Sequence, residues 1–384
     1  MMKIAVIGVY YAPNLGDAII CDCVMSWLCE RWPSAVIDRI DIENKKCFEK
    51  QEDTSMRLLV YRGLKLKWDY WQTRHHIRDR VYYWNMLDVA ARQDFYEKVA
   101  AEKYDAAVFA GGQLFMDWLS ADICGFLKQF EQAGTPVYFN ACGVGITVSD
   151  KIREMLSRHL LCDNVKLISS RDDAEQIKQL YLDNKKNVIK TFDPALWTSC
   201  VYGNISVSPD SVVGLGVMYS NHAPLWKITR FWIRLIRELD AVGIRWKMFC
   251  NGAVDDYNYA AYVLEKAGRS REKYLCRCAE NPQELIRQIS SFCSLISFRL
   301  HSHIVAASYG IPAVAIVWDE KLRFFYRNLG HEERCRTIYD RPESVLQSLQ
   351  KAQEEGYDME LIEKQKNFSR TLLLEALSGE KGIE

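Results

Sequence analysis

Residues 294–318 read Ser294-Leu-Ile-Ser-Phe-Arg299-Leu-His301-Ser-His-Ile-Val-Ala-Ala-Ser-Tyr-Gly310-Ile-Pro-Ala-Val-Ala-Ile-Val-Trp318. Two apolar runs, 294–298 and 313–318, enclose a helix-like segment that ends at the Gly-Ile-Pro turn. This strand–helix–strand pattern predicts two neighbouring parallel strands. Ligands bind at the carboxyl ends of such strands, and helix N-termini attract anions. Arg299 and His301 stand at that junction, so they indicate a phosphate or carboxylate site with a titratable group beside it.

The same alternation of strands and helices runs through the whole chain. Short apolar runs predict strands at 3–9, 35–41, 105–110, 136–141, 166–170, 187–191, 211–217, 244–250, 294–298 and 313–318. Near-continuous apolar strands separated by helices are typical of parallel sheets in doubly wound α/β proteins. We expect two Rossmann-like domains facing across a cleft, over 1–197 and 210–358, followed by a helix and tail over 359–384.

Composition excludes several classes of protein. The chain has 50 basic and 50 acidic residues, so its formal net charge is zero, which argues against a nucleic-acid partner. No apolar run reaches the roughly 18 residues of a membrane-spanning helix, and residues 1–10 read as a first strand, not as a signal peptide. We therefore expect a reducing, cytoplasmic compartment, in which most of the 13 cysteines are buried thiols.

Residues 57–85 interrupt the strand–helix rhythm. This insertion interleaves seven arginines and lysines with seven tyrosines and tryptophans. One interpretation is a solvated amphipathic helix packed on the first domain. The other is a lid or a membrane-surface patch, because aromatic and basic side chains together suit an anionic interface.

Two glycine-containing turns follow predicted strands. In Asn14-Leu15-Gly16-Asp17, we expect Gly16 to permit a tight turn and Asp17 to cap the next helix. Alternatively, the Asp17 carboxylate holds or deprotonates a substrate hydroxyl. Gly111 and Gly112 form another strand-to-helix turn, which either exposes N–H groups to a ligand or simply turns the chain. The Gly-x-Gly-x-x-Gly dinucleotide fingerprint is absent.

Other candidate side chains have simpler interpretations. Arg171 follows the strand predicted at 166–170, where it either clamps an anion or pairs with a neighbour such as Asp172. Cys142 lies at a strand end, but no partner histidine is indicated, so we expect a buried thiol. His303 lies two residues after His301 and points elsewhere on a helix, which favours a structural role.

Together, these turns resemble the polysaccharide pyruvyl transferase family. The resemblance spans residues 3 to about 330. Two departures are Ala110, where the family usually has a third glycine, and Ser170, where many relatives have a bulkier residue. The matching pieces, in family order, are Asn14-Leu15-Gly16-Asp17, Ala110-Gly111-Gly112-Gln113-Leu114-Phe115, Ser170-Arg171-Asp172, Asp193-Pro194-Ala195, Arg299-Leu300-His301, Gly310-Ile311-Pro312 and Asp319-x-Lys321.

The resemblance implies a GT-B-like fold, phosphoenolpyruvate as donor and a saccharide as acceptor, free or lipid-linked, that receives a pyruvate ketal. It implies neither a metal nor a cofactor. His301 is then the general acid or base, with Asp17 as a second catalytic candidate, and Lys321 adds charge. The residues implied to contact the donor are Arg171, Arg299, Leu300 and His301. Those implied on the acceptor side are Asn14, Gly16, Asp17, Gly111, Gly112 and Gln113.

Two other functions stay open from the sequence. A GT-B glycosyltransferase that uses a nucleotide sugar also has an anion site before a Gly-x-Pro turn. It usually shows an acidic residue for the ribose there, whereas Ser302-His-Ile-Val-Ala-Ala307 follows His301. A non-catalytic binding protein of a glycan pathway is the other alternative, and the joint presence of Arg171, Arg299 and His301 argues against it.

Overall fold

A computed structural model describes residues 1–48, 55–203, 211–220 and 222–379. Its described residues form two parallel β-sheets and the helices that cover them. Residues 380–384 of the predicted tail, and residues 204–209 between the two predicted domains, lie outside the described ranges. The strands are β1 (Lys3–Gly8), β2 (Val36–Asp41), β3 (Ala106–Phe109), β4 (Gly112–Phe115), β5 (Val137–Val144), β6 (Val165–Ser170), β7 (Ile189–Lys190), β8 (Val212–Gly216), β9 (Arg245–Phe249), β10 (Ser294–Ser297), β11 (Ala313–Ile316) and β12 (Cys335–Arg336).

Sixteen α-helices connect and flank these strands within the described ranges. They are α1 (Leu15–Arg31), α2 (Met56–Arg74), α3 (Arg80–Ala91), α4 (Gln93–Ala101), α5 (Asp117–Ala133), α6 (Asp150–Leu160), α7 (Ala174–Ile177), α8 (Thr198–Tyr202), α9 (Leu225–Ala241), α10 (Val254–Ala267), α11 (Arg271–Tyr274), α12 (Pro282–Ser290), α13 (Leu300–Ser308), α14 (Glu320–Asn328), α15 (Pro342–Glu355) and α16 (Met359–Ser378). None of them combines the length and the apolar character that crossing a bilayer requires.

The first sheet has the order β2-β1-β3-β5-β6-β7, with β4 added beside β5. Alternate side chains of β1 enter different apolar clusters: Ile4 and Val6 pack in one, and Ala5 and Ile7 in the other. Because both faces are buried, the strand reads as an unbroken apolar run. The second sheet has the order β12-β11-β10-β8-β9, and Leu295 and Ile296 of β10 likewise enter opposite clusters.

One apolar cluster spans both halves of the molecule. It contains Trp27 of α1, Leu196, Ile304 of α13 and Leu373 of α16, all nearly excluded from solvent. Helix α16 therefore returns from the end of the chain to pack against the first half. The two sheets share this hydrophobic contact, and the carboxyl ends of their strands face each other across a cleft.

The insertion forms two helices. Ser55 caps α2 by accepting a hydrogen bond from the Leu58 N–H, and Asp79 caps α3 through the Tyr82 N–H. Met56 packs against the core of the second domain, and α2 contacts α10 there. Helix α3 packs on α5 of the first domain. The insertion therefore contacts both domains, which a helix packed on the first domain alone would not do.

Two strands were missing from the sequence prediction. Strand β4 lies in the segment predicted as a turn, and it pairs with the end of β5, which extends to Val144, beyond the predicted boundary at 141. Strand β12 has two residues at the edge of the second sheet, paired with β11. Strand β4 begins inside the Gly111–Gly112 turn and β12 has two residues without an apolar run, so their pairing partners define them.

Candidate active site

The cleft between the two sheets has a volume of about 640 Å³, in the range of small-molecule sites. Both halves of the molecule line it. Positive side chains on its walls come from both halves, namely Lys45, Arg92, Arg171, Arg299 and Lys321. This arrangement is suited to an anionic ligand held between the domains.

Helix α1 begins at Leu15, with Asn14 as its N-cap residue. The expectation that Asp17 caps this helix is therefore wrong. The Leu15 N–H donates to the carbonyl oxygen of Asn251 at 2.9 Å, so a residue of the second domain fixes the helix start earlier in the chain. Asp17 lies in the first turn, accepts a hydrogen bond from the Asn14 side chain at 3.0 Å, and lines the cleft.

Gly16 allows α1 to approach His301 at the start of α13. A Cβ atom at position 16 would overlap Nδ1 and Cγ of the His301 ring. His301 is 6% exposed and still lines the cleft. Position 16 therefore requires glycine because of this close approach. Gly16 itself does not line the cleft.

Arg171 follows β6 and is 5% exposed. Its Nη1 forms an ion pair with Asp193 and lies 3.2 Å from Nε2 of His301, while its buried Nε has no hydrogen-bond partner among the described residues. Asp193 is held in turn, because its other oxygen accepts the Ala195 N–H at 2.8 Å and caps the 3-10 helix Pro194–Trp197. Burial opposes the charged guanidinium, but Asp193, Asp172 and Asp17 outweigh it and raise the pKa of Arg171.

His301 is neutral near pH 7 in this setting. Burial lowers its pKa below the usual 6.5, and Asp193 and Asp17 offset only part of this effect. A guanidinium only donates hydrogen bonds, so Nε2 accepts from Arg171 and the ring proton lies on Nδ1. A neutral imidazole beside a cationic clamp can take a proton from a substrate.

Arg299 is the N-cap residue of α13 and faces the cleft from the second domain. Its Nε and Nη2 donate to the same oxygen of Asp256, at 2.9 and 2.5 Å. Asp256 is 1% exposed, and its second oxygen accepts the Tyr219 N–H at 2.8 Å. Burial raises the pKa of Asp256, and the Arg299 charge opposes this change. The contact fixes the guanidinium through Nε and Nη2, and Nη1 takes no part in the pair with Asp256.

Asp256 was not predicted as a site residue. The available signal was the pair Asp255-Asp256, which follows β9 after a short turn and therefore lies at the carboxyl edge of the second sheet. This pattern could have predicted a carboxylate at that edge of the sheet. It could not have predicted that the carboxylate binds Arg299.

Lys321 and Gln113 connect the two sides of the cleft. The Lys321 ammonium donates to the Gln113 side-chain oxygen at 3.1 Å and lies 4.5 Å from the centre of the Trp318 ring. The Gln113 amide nitrogen donates to the Val144 carbonyl at 3.0 Å. Burial lowers the pKa of Lys321, although Asp319 opposes this shift. Both residues line the cleft, so a bound ligand could replace the hydrogen bond between Lys321 and Gln113.

The structure separates the predicted site residues into two groups. Asn14, Asp17, Gln113, Arg171, Arg299, Leu300 and His301 all line the cleft. Gly16, Gly111 and Gly112 lie behind this surface, and both residues of the glycine pair have positive φ, 124° and 97°. A Cβ at Gly111 would lie 2.7 Å from the Asn140 carbonyl oxygen, so this turn is needed for backbone packing.

The remaining candidates lie away from the cleft. His303 is fully buried, with Nε2 donating to the Ser297 carbonyl at 2.9 Å and Nδ1 bonded to the Tyr326 hydroxyl at 2.9 Å. These bonds agree with a structural role. Cys142 is buried in the first sheet, and burial raises the pKa of its thiol.

The outer wall of the cleft contains residues that sequence reasoning did not select. Trp84, Asn85 and Asp88 come from α3 of the insertion, and Trp118 comes from the start of α5. The two tryptophans are 38% and 55% exposed, so their rings are available to a ligand. The sequence marked Trp84 and Asn85 only as part of the 57–85 insertion, because their position at the cleft depends on how that segment folds back.

A sequence model of the polysaccharide pyruvyl transferase family matches residues 14–320 of the chain. No curated protein matches the sequence. UDP-GlcNAc 2-epimerase from Methanocaldococcus jannaschii is 10% identical, with a TM-score of 0.58 and coverage of 97% of this chain and 100% of that one. The Neisseria meningitidis enzyme bound to UDP-GlcNAc is 11% identical, with a TM-score of 0.52 and coverage of 99% and 100%.

A trehalose-6-phosphate synthase, OtsA, is 11% identical, with a TM-score of 0.54 and complete coverage of both chains. At this level of identity the solved structures establish the fold alone. The expected architecture is confirmed: an α/β protein whose two parallel sheets have the GT-B-like arrangement of these epimerases and glycosyltransferases.

Proposed function

Since the chain belongs to the polysaccharide pyruvyl transferase family, we propose that it moves the pyruvyl group of phosphoenolpyruvate onto two hydroxyls of a saccharide. The product is a pyruvate ketal, and inorganic phosphate is released. The observation that carries this proposal is the convergence of Arg171, His301, Arg299 and Lys321, from two domains, on one cleft. A small donor with both a phosphate and a carboxylate requires cations such as Arg171, Arg299 and Lys321.

The donor binds between the two arginines. Buried carboxylates hold each guanidinium, so each is oriented before the ligand arrives. Arg171 pairs with Asp193 and lies 3.8 Å from Asp172 through its Nε, and Arg299 pairs with Asp256. Fixed cations of this kind stabilise charge that develops during the reaction without needing to reorganise. Lys321 exchanges its bond with Gln113 for a donor oxygen.

The reaction takes two protons from the diol, and it delivers one proton to the methylene carbon of the donor and one to the departing phosphate. A proton adds to the methylene carbon of phosphoenolpyruvate, and the central carbon becomes electrophilic. One sugar hydroxyl attacks that carbon and loses its proton. The carbon–oxygen bond to phosphate then breaks, and the second hydroxyl closes the ketal and loses its proton. One donor and one diol therefore give one ketal and one phosphate, and no oxidation takes place.

His301 is the general base in this proposal. Its neutral form accepts the proton of an attacking hydroxyl at Nε2, which gives up its hydrogen bond from Arg171 while the guanidinium stays paired with Asp193. Asp17 faces the same space and is the second candidate to hold or deprotonate the acceptor hydroxyl. Leu300 contributes an apolar wall beside these polar groups.

The acceptor occupies the outer part of the cleft. Trp84 and Trp118 offer ring faces to a pyranose, and Asp88 and Asn85 offer hydrogen-bond partners for its hydroxyls. We place the activity in the assembly of a bacterial capsule, exopolysaccharide or cell-wall glycan. It would take place in the cytoplasm at the inner face of the plasma membrane, on a lipid-linked saccharide.

The test is release of phosphate from phosphoenolpyruvate with a panel of galactose-, mannose-, glucose- and N-acetylhexosamine-containing acceptors. We expect acceptor-dependent release and a product heavier by one pyruvyl group. His301→Ala should lower kcat/KM by about 10²- to 10⁴-fold, because it removes a proton acceptor. Arg299→Ala should mainly raise KM for phosphoenolpyruvate.

Arg327→Ala is the matched control, since it removes an exposed arginine that pairs with Glu332 outside the cleft. Its kinetic constants should equal those of the wild type. Thermal stabilisation by a nucleotide sugar and not by phosphoenolpyruvate would overturn the proposal in favour of a glycosyltransferase. Stabilisation by phosphoenolpyruvate without turnover on any acceptor, lipid-linked ones included, would favour a non-catalytic binding protein.

A further inference from the structure

Helix α2 turns an apolar stripe away from the protein. Tyr61, Leu64, Trp68 and Trp71 recur at helical spacing, and they are 64%, 62%, 56% and 45% exposed. The residues of α2 that are buried instead are Leu59, Gly63, Asp69 and Thr73. An ordinary surface helix shows the opposite distribution, with its apolar face towards the core.

The stripe lies in a segment of the chain that is rich in exposed apolar side chains. Within the described ranges, ten of the eighteen large exposed hydrophobic side chains lie between positions 58 and 87. Single exposed apolar residues are ordinary, but a concentration of this kind marks a surface that another body covers. The members are Leu58, Val60, Tyr61, Leu64, Trp68, Trp71, Ile77, Tyr83, Trp84 and Leu87.

The charges beside the stripe have one sign. Exposed Arg62, Lys65, Lys67 and Arg74 accompany it along α2. The one acidic residue of α2, Asp69, is 3% exposed and lies 3.6 Å from the Arg80 side chain. A symmetric second copy would place these positive charges opposite each other, which is unfavourable. An anionic surface complements them.

We propose that the exposed face of α2 docks on an anionic lipid bilayer, with the helix lying in the plane of the interface. Trp68 and Trp71 stack with ring centres 5.1 Å apart, and tryptophan favours the headgroup level of a membrane. Basic side chains around the stripe bind anionic headgroups, as in other interfacial amphipathic helices.

Docking through α2 brings the cleft next to the membrane. Helix α3 contacts α2, and its Trp84, Asn85 and Asp88 line the cleft. A saccharide carried on a lipid headgroup could then enter the cleft without leaving the bilayer. This second consequence rests on the proposed function, whereas the docking itself does not.

The test is sedimentation of the full chain with phosphatidylcholine vesicles, with and without phosphatidylglycerol. We expect binding to the anionic vesicles at low salt and loss of binding at about 0.5 M salt, where exposed charges are screened. Brominated lipids should quench tryptophan fluorescence in the bound protein. Absence of binding to anionic vesicles at low salt overturns the proposal.

Two double variants separate the contributions. Trp68→Ser with Trp71→Ser removes the stacked rings, and Arg62→Glu with Lys65→Glu reverses two charges; each should weaken partitioning about tenfold or more. Met359→Ser is the matched control, because Met359 is 46% exposed on α16 between acidic residues. Equal loss of binding in all three variants would overturn a specific role of α2.

A solution measurement distinguishes the competing occupant. If sedimentation equilibrium finds a wild-type dimer that the tryptophan variant abolishes, a second copy covers this face and the membrane proposal is wrong. Phosphate release with a water-soluble acceptor should be unchanged in the Trp68/Trp71 variant. Failure of vesicle binding and failure of pyruvyl transfer are therefore read from separate assays.

Discussion

At the scale of single residues, the site is built from ion pairs in which the carboxylate is buried. Arg171 and Asp193 pair in the first half of the molecule, and Arg299 and Asp256 pair in the second. A buried charge without a partner is strongly unfavourable, so each carboxylate both stabilises and orients its guanidinium. The nitrogens that these carboxylates do not use are the ones that can meet a ligand.

The contact between Gly16 and His301 gives a sharp mutational prediction. Alanine normally favours a helix over glycine by about 1 kcal/mol, but at position 16 the new Cβ would overlap the His301 ring. We expect Gly16→Ala to lower kcat/KM at least as much as His301→Ala does, and to lower the free energy of unfolding.

The control for this prediction is the double variant Gly16→Ala with His301→Gly. This change removes the ring and also the Cβ atom of His301, which would lie 2.5 Å from the new methyl carbon, so the added loss of stability should disappear. Urea denaturation of the four proteins in this cycle measures the effect. If Gly16→Ala destabilises equally with and without the ring, the close approach is not the cause.

The burial of His303 predicts that the folded state loses stability as the pH falls. Burial lowers the pKa of His303 to about 4, against the usual 6.5. The unfolded chain therefore binds a proton more readily than the folded one, and stability present above pH 6.5 is lost as the pH falls towards 4. The loss should reach about 3 kcal/mol.

Urea unfolding at pH 7, 6, 5 and 4.5 measures this dependence. His303→Asn removes the titrating group, so the difference between wild type and variant should shrink as the pH falls through this window. A difference that is independent of pH would show that His303 does not titrate in the expected range.

At the scale of secondary-structure elements, the site depends on how α1 begins. Its first N–H bonds to Asn251, whose side-chain oxygen also accepts the Ser302 hydroxyl at 2.8 Å. Gly252 packs against this turn with φ of 98°. The loop after β9 therefore sets the positions of both α1 and α13, which carry Asp17 and His301.

Gly252→Ala tests this coupling. Its Cβ would lie 2.6 Å from Cγ of Leu15 and 2.8 Å from the Pro13 carbonyl oxygen. We expect a loss of about 2 kcal/mol in unfolding free energy and a higher KM for phosphoenolpyruvate. Gly243→Ala is the control, since φ is 71° and no atom lies within 4 Å. Gly243→Ala should lower the free energy of unfolding and leave the KM for phosphoenolpyruvate unchanged. A raised KM in this control variant would contradict the coupling between the loop and the site.

At the scale of the whole molecule, the two halves share one apolar cluster. It joins α1, α13 and α16, so unfolding one half would expose core residues of the other. We expect one calorimetric transition, with van 't Hoff and calorimetric enthalpies that agree. Two resolved transitions would indicate domains that unfold independently.

The sequence by itself determined much of the fold and the chemistry of the site. Apolar strands separated by helices follow directly from burial on both sheet faces, so ten of the strands were predicted, with boundaries within three residues. Arginine and histidine after strand ends indicated an anion site, because strand ends and helix N-termini create one in any parallel sheet. The domain boundaries and the catalytic roles stay predictions.

Only the tertiary structure decided which groups meet. Asp193 and Arg171 are 22 residues apart, and Arg171 and His301 are 130 apart, so no local pattern joins them. Asn251 fixes the start of α1 at Leu15, and helix α3 supplies Trp84 and Asp88 to the cleft. Periodicity reports which side of an element is buried, but the partner that covers it depends on contacts between segments distant in the chain.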